Sequence, residues 1–392
     1  MNTQNTPVHI HLWHREFWQM SIANWLLNMS AYMLIPVLPL WLMTTMHFTS
    51  VETGLCMGVF GVGVYVLGCF CSFLVQHYRR NHVCLLAILA MMLSIGLLYY
   101  AESHSTTIVD KHIVFLQRLL FGAFFGLAQM VLSSTLIIDT SESFQRTEAN
   151  YSAAWFSRFA LALGPIAGIL VYRHMGFLPT ILVSAGCCVL AIILIYLVRF
   201  PFRAPEDVIK KVSLDRFFLP HGMWLYVNML LVTTVVGLLL TTGLSEWFYA
   251  MMMGGFFLAI LAQRFVFPEA ELKSEIICGL ILMGASVVFL QLQAGHVLSY
   301  IPPLFMGLGI GIIGSRFLLF FIKLSRHCQR GTSQSMFMLS WETGLSLGLF
   351  IGYAFLGNDS QLLYTIALII IVVALLLYNF FTHHWFMSHK NR

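Results

Sequence analysis

Four charged side chains, Arg118, Arg158, Arg316 and Glu342, fall inside long apolar runs of this chain. An ionised group at the centre of a membrane-crossing helix costs about 2.5–3.5 kcal/mol on insertion scales, so such residues mark pathways or buried partners. Arg158 and Glu342 are separated by 184 residues, and that spacing recurs. Gln145–Arg146 meets Gln329–Arg330, Gly164 meets Gly348, and Gly168 meets Gly352. Both charges sit about nine residues, roughly 14 Å at helical rise, from the same end of their spans. Opposite charges at matched depth on repeat-related helices suggest a central pair or a shared substrate site. Glu342 would be a protonatable carboxylate whose proton affinity responds to dehydration and to a nearby arginine; the plainer alternative is a permanent salt bridge. Arg158 would anchor an anionic group or serve that pairing. Arg316, nearer one membrane face, is placed to neutralise Glu342 instead.

Amides add to the set. Arg118 shares a helical face with Gly122, Phe125 and Gln129, at intervals of four, three and four. That stripe would line a cavity near its outer half, unless Arg118 snorkels to the interface. Asn24 and Asn28 form an i,i+4 pair, and Asn228 is a similar candidate; substrate contact and interhelical hydrogen bonding are the two readings of each.

Only a membrane can accommodate the elements that carry these residues. Hydrophobic residues make up 59% of the 392 and charged residues 9%, against roughly 25% charged in soluble domains. A bilayer core needs about 20 apolar residues per helix. Twelve such spans are expected, at 17–42, 53–76, 82–101, 113–138, 149–173, 178–199, 221–243, 247–267, 276–294, 298–322, 333–357 and 361–381. The first is too long for the apolar segment of a cleavable signal peptide. With both termini cytoplasmic, nearly all Lys and Arg fall inside and only Lys111 and Arg173 outside, the bias that sets topology in a cell membrane. The polar segment 201–220 then divides a six-helix bundle at 1–200 from another at 221–392. Parallel repeats of this kind are built to rock about a midplane site.

The residues resemble the major facilitator superfamily over nearly the whole chain. "IPVLPLWL" (Ile35 to Leu42) is similar to the proline-bearing end of the family's first helix. Arg118, Gly122 and Gly126 in "RLLFGAFFG" resemble its fourth-helix motif. Gly164, Pro165 and Gly168 in "GPIAG" resemble the fifth-helix motif of proton-coupled exporters, although Ala160 and Ile169 replace expected glycines. The family's loop signature after the second helix is degraded. Leu74 and Arg80 are retained, but Ser72 and Gln76 stand at the glycine and aspartate positions, which puts the conformational latch in doubt. The resemblance implies an all-α fold of two pseudo-symmetric six-helix bundles and alternating-access transport.

Competing motifs are weak. Gly307, Gly309 and Gly311 lie in an apolar span with no preceding strand, so they are no nucleotide loop. Gly54, Gly58, Gly61 and Gly68 line one face of the second span and suit close packing. His9, His11 and His14 lack an acidic partner for a metal, and the eight cysteines lack zinc-ligand spacing. No cofactor, metal or nucleic acid is expected, and no HExxH or serine–histidine arrangement suggests an enzyme. The preferred expectation is proton-coupled export of a small molecule by a monomer, in which protonation of Glu342 weakens an arginine pairing. Uptake of an anionic metabolite on Arg158, Arg118 and Arg316 is the second, and a non-transporting receptor on the same fold the third.

Overall fold

The computed structural model describes residues 11–104, 111–200, 210–243, 245–267, 270–292, 300–326, 329–357 and 359–391. His9 and residues 201–209 of the polar segment lie outside the described residues. Among the described residues, twelve helices are long and apolar enough to cross a membrane. They are α1 (Arg15–Thr44), α2 (Ser50–His77), α3 (Arg80–Ser103), α4 (Lys111–Asp139), α5 (Arg146–Met175) and α6 (Phe177–Leu197), followed by α7 (Pro220–Leu240), α8 (Glu246–Val266), α9 (Leu272–Gln291), α10 (Ile301–Leu324), α11 (Arg330–Leu356) and α12 (Ser360–His389). The expected spans are all present, and α12 runs well past its expected end at 381.

Packing repeats with a shift of six helices. In the first half α1 packs on α5 and α6, α2 on α4, and α3 on α4 and α6; in the second, α7 packs on α11 and α12, α8 on α10, and α9 on α10 and α12. The halves meet where α2 faces α11 and α5 faces α8, a pairing that maps onto itself under the same shift.

Small residues set these approaches. A Cβ on Gly168 would lie 2.2 Å from the Met33 carbonyl oxygen of α1, and one on Gly348 the same distance from the Thr234 oxygen of α7. The repeat thus encodes equivalent helix contacts, α5 on α1 and α11 on α7. The fifth-helix motif acts here as close packing. It also seats a discontinuity: α1 breaks at Met33 between Arg15–Tyr32 and Leu34–Thr44. Pro36 has no N–H for the Tyr32 carbonyl, which is the ordinary cause of such a break. Gly164 and Gly168 hold the broken point.

The segment joining the halves is built into the bundle on the side where α2 ends and α11 begins. Ser213 N donates to Cys69 O at 3.0 Å, and the Phe217 ring lies where any Cβ on Gly68 would have to go. Arg216 adopts the left-handed backbone region (φ 57), uncommon for a residue with a Cβ. That turn aims its N–H at Thr332 Oγ1, 2.8 Å away on α11.

Candidate functional site

A narrow cavity of about 50 Å³ lies between the halves, reached by side chains of α1, α4, α5 and α11. Asn24, Asn28, Gln129, Arg158 and Glu342 all line it, with Tyr32, Ser157 and Gln334. Each residue arrives there for a traceable reason. Arg158 and Glu342 occupy the same turn of α5 and α11, which begin at Arg146 and Arg330. Tyr32 is the last residue before the break in α1. Gln129 and Ser133 flank the start of a π-helical turn, Leu132–Leu136 in α4, a distortion that often accompanies function.

The two charges do not pair with each other. Tyr32 donates its hydroxyl to Glu342 Oε1 at 2.5 Å. Glu342 Oε2 is buried with no hydrogen-bond partner among the described residues. Arg158 Nη1 donates to Ser315 Oγ of α10 at 3.1 Å, and its guanidinium lies 4.5 Å from the Trp155 ring centre, a favourable cation–π placement. Its Nε and Nη2 are buried without hydrogen-bond partners among the described residues. The expected arginine pairing of Glu342 is therefore corrected: its partner is a phenol. Each charge instead reaches across to the other half, Arg158 to α10 and Glu342 to α1.

The amides form the cavity's other wall. Asn24 Nδ2 donates to Ala153 O (3.1 Å) and Ser157 Oγ (3.0 Å), and Asn28 Nδ2 to Asn24 O (2.7 Å). Gln129 Nε2 and Gln334 Oε1 are buried with no hydrogen-bond partner among the described residues. Donors and acceptors without protein partners thus converge on one small space, where a polar ligand or water would satisfy them.

The remaining sequence candidates lie elsewhere. Arg316 bonds Glu275 at 2.6 Å, within the second half, so its expected role toward Glu342 is corrected. Glu275 lies in the first turn of α9. Arg118 is buried but lies off the cavity, over the rings of Phe60 and Phe121 at 5.0 and 5.7 Å. The stripe it shares with Gln129 is therefore split: Gly122 and Gly126 pack on the α2 backbone, and only the Gln129 end reaches the site. Asn228 donates to Ala374 O at 3.1 Å, tying α7 to α12. Glu246, at the start of α8, is bonded by Arg173 at 2.6 Å, joining α8 to α5 at the end far from the linker.

The degraded loop motif has a substitute. Gln76 donates to Ser72 Oγ (2.9 Å), and Ser72 donates to Asp215 Oδ2 (3.2 Å). Thr332 of α11 donates to Asp215 Oδ1 (3.0 Å), and Arg216 Nη1 to Thr135 of α4 (3.0 Å). The linker thus brings a carboxylate to the place where the motif lacks one. Arg80 is bonded to Asp139 at 2.7 Å beside this cluster. Burial, and then the charge of Arg80, hold the Arg216 guanidinium below its ordinary pKa.

Two pseudo-symmetric six-helix bundles with a polar cavity between them are the architecture of a two-bundle membrane transporter. A profile of the Major Facilitator Superfamily matches residues 20–348. The chain belongs to that family. No curated protein matches the sequence. Solved structures do share the fold. An auto-inhibited peptide transporter of the POT family superposes with a TM-score of 0.70 at 12% identity, covering 94% of this chain and 97% of its own. The human organic anion transporter MFSD10 (TETRAN) gives 0.70 at 13%, covering 93% and 98%. A bacterial homologue of the iron transporter ferroportin, outward-facing, gives 0.67 at 14%, covering 95% and 99%. At such identities the likeness is one of fold.

Proposed function

We propose that this transporter exports a small molecule in exchange for protons, with Glu342 as the proton-carrying group and Arg158 as the substrate anchor. The observation that carries the reading is the Tyr32–Glu342 hydrogen bond. It joins the two halves through a carboxylate that has no cation partner among the described residues. Gaining or losing a proton changes what that carboxyl accepts from Tyr32, and so biases the equilibrium between conformations that keep or break the contact. Arg158 offers its free guanidinium nitrogens to an anionic or strongly accepting group. Phe337, Met338 and Trp341 line the same space and suit an apolar portion. The present cavity is far below the roughly 300–1,000 Å³ of ligand pockets, so the halves must part for substrate to enter.

The preference for export rests on the resemblance of "GPIAG" to exporters. The Lys/Arg distribution supports termini on the cytoplasmic side of a cell membrane. Uptake of an anionic metabolite on three arginines is less well supported, because Arg118 and Arg316 lie off the cavity. The test is a substrate screen in proteoliposomes with an imposed pH gradient, comparing the native chain with Glu342→Gln. Native protein is expected to move substrate against its gradient, and the variant only down it. Proton-driven flux unchanged in the variant would overturn the assignment of Glu342.

A further inference from the structure

A second cavity, far larger than the central one, opens on the outer surface of the bundle. Its volume is about 660 Å³, and its walls are α2, α7 and α11. On α2 it extends from Leu55 to Tyr65, a length of roughly 15 Å at helical rise. Val62, on its rim, is 62% exposed, and Leu55, Met223 and Leu347 are exposed as well. Whatever enters therefore does so from the bilayer. Gly58 and Gly61 leave the α2 wall without side chains, and Phe350 closes the end far from the linker.

The lining is apolar over most of its length and carries no charged residue. Its polarity is gathered near one end. The hydroxyls of Tyr65 and Tyr226 bond each other, and Tyr65 also bonds Thr343 Oγ1 at 2.6 Å. Ser346, only 4% exposed, adds its Oγ to the lining. The mouth beside these hydroxyls is formed by Phe218 and Met223, at the point where the linker enters α7. Exposed Trp224 follows, as expected of a residue at the membrane interface. Lys210 and Lys211 are exposed just before Ser213, which is tied to Cys69 one turn beyond Tyr65 on α2. The cationic level thus lies next to the polar end of an apolar slot.

We propose that this groove binds one acyl chain of an anionic phospholipid, its headgroup held at Lys210 and Lys211 and its glycerol-ester region facing the hydroxyl cluster. Charge complementarity selects this occupant. A lipophilic cation would find no carboxylate in the lining and two exposed lysines in the linker segment that leads to its mouth, whereas a phosphate is attracted there. The site is independent of the transport reading, since binding is measured without flux. Because α2 and α11 face each other across the two halves, a chain lodged between them would bear on how they separate.

The experiment uses the full chain in phosphatidylcholine vesicles containing a small fraction of phosphatidylglycerol with a diazirine on its acyl chain. After irradiation, labelled peptides are located by mass spectrometry. Labelling is expected to concentrate on the α2 and α11 residues of the groove and to be competed by unlabelled phosphatidylglycerol better than by phosphatidylcholine. Val62→Trp, which fills the slot from its exposed rim, should lower groove labelling several-fold with an unchanged melting profile. The double variant Lys210→Gln/Lys211→Gln should keep labelling but lose the preference for the anionic lipid. Uniform labelling of all lipid-facing helices in the native chain would overturn the proposal, whether or not Val62→Trp folds. Competition by a lipophilic cation but not by phospholipid would also overturn it.

Discussion

At the scale of single residues, the chain shows how a buried carboxylate can be held without a counter-charge. Glu342 takes one hydrogen bond, from Tyr32, and leaves its other oxygen facing the cavity. Arg158, at the equivalent position of the repeat, is held by a serine hydroxyl and an indole face instead of an acid. A salt bridge between them would have made both charges structural; keeping them apart leaves both open to ligands. Tyr32→Phe removes the one donor to Glu342 among the described residues. Loss of a donor to a buried acceptor costs roughly 1–3 kcal/mol, so a lower melting temperature in detergent is expected. The same variant should weaken pH-gradient-driven flux about fivefold or more, the usual scale of coupling between sites. Melting and flux that both match the native chain would show the contact to be incidental.

At the scale of elements, two devices place those residues. The first is the break in α1, made by Pro36 and seated on Gly164 and Gly168 of α5. Gly168→Leu would drive a side chain into the Met33 carbonyl, and overpacking of this kind costs about 1–3 kcal/mol. Gly96→Ala is the control, because nothing lies within 4 Å of its new Cβ. The melting temperature should fall for the first and hold for the second. Equal effects would mean that the α1–α5 approach is not what the glycine secures. The second device is the linker turn, in which Asp215 is bonded by Ser72 of α2 and Thr332 of α11 at once. Cys71 lies fully buried beside Asp215 and Arg216, so it reports on this turn without any introduced label. Asp215→Ala is expected to raise the rate of Cys71 alkylation by a maleimide, relative to half-exposed Cys69. An unchanged rate would show that the turn is held by Phe217 and Phe218 rather than by the carboxylate.

At the scale of the whole molecule, the halves are fastened at both ends. On the linker side, the Asp215 cluster and a Tyr151–Gln263 hydrogen bond join them; on the far side, Arg173 bonds Glu246. The alternating access that the proposed function needs would require these contacts to open in turn. Arg173→Cys combined with Glu246→Cys should therefore stop flux when oxidised and recover it on reduction. Full activity of the oxidised, cross-linked protein would exclude opening on that side.

The twelve spans and the pairing of halves were legible in the sequence, because a bilayer imposes length and apolarity on every crossing segment. The 184-residue offset also placed Arg158 and Glu342 at one depth, since helical rise converts sequence distance into height. What height does not supply is azimuth and partner. Arg316, expected nearer one membrane face and placed to neutralise Glu342, turns instead toward Glu275 in the first turn of α9. Arg118 and Gln129 share a face, but eleven residues of helix separate a ring-packed arginine from a cavity-lining amide that lies just before the π turn. Tyr32 carried no charge to attract notice, and only the break in α1 brings it to Glu342. Asp215 lay in a segment that read as a spacer. These pairings depend on how separate helices rotate and approach, which is settled by contacts far apart in the chain; composition and periodicity constrain each helix only against its own axis and the membrane.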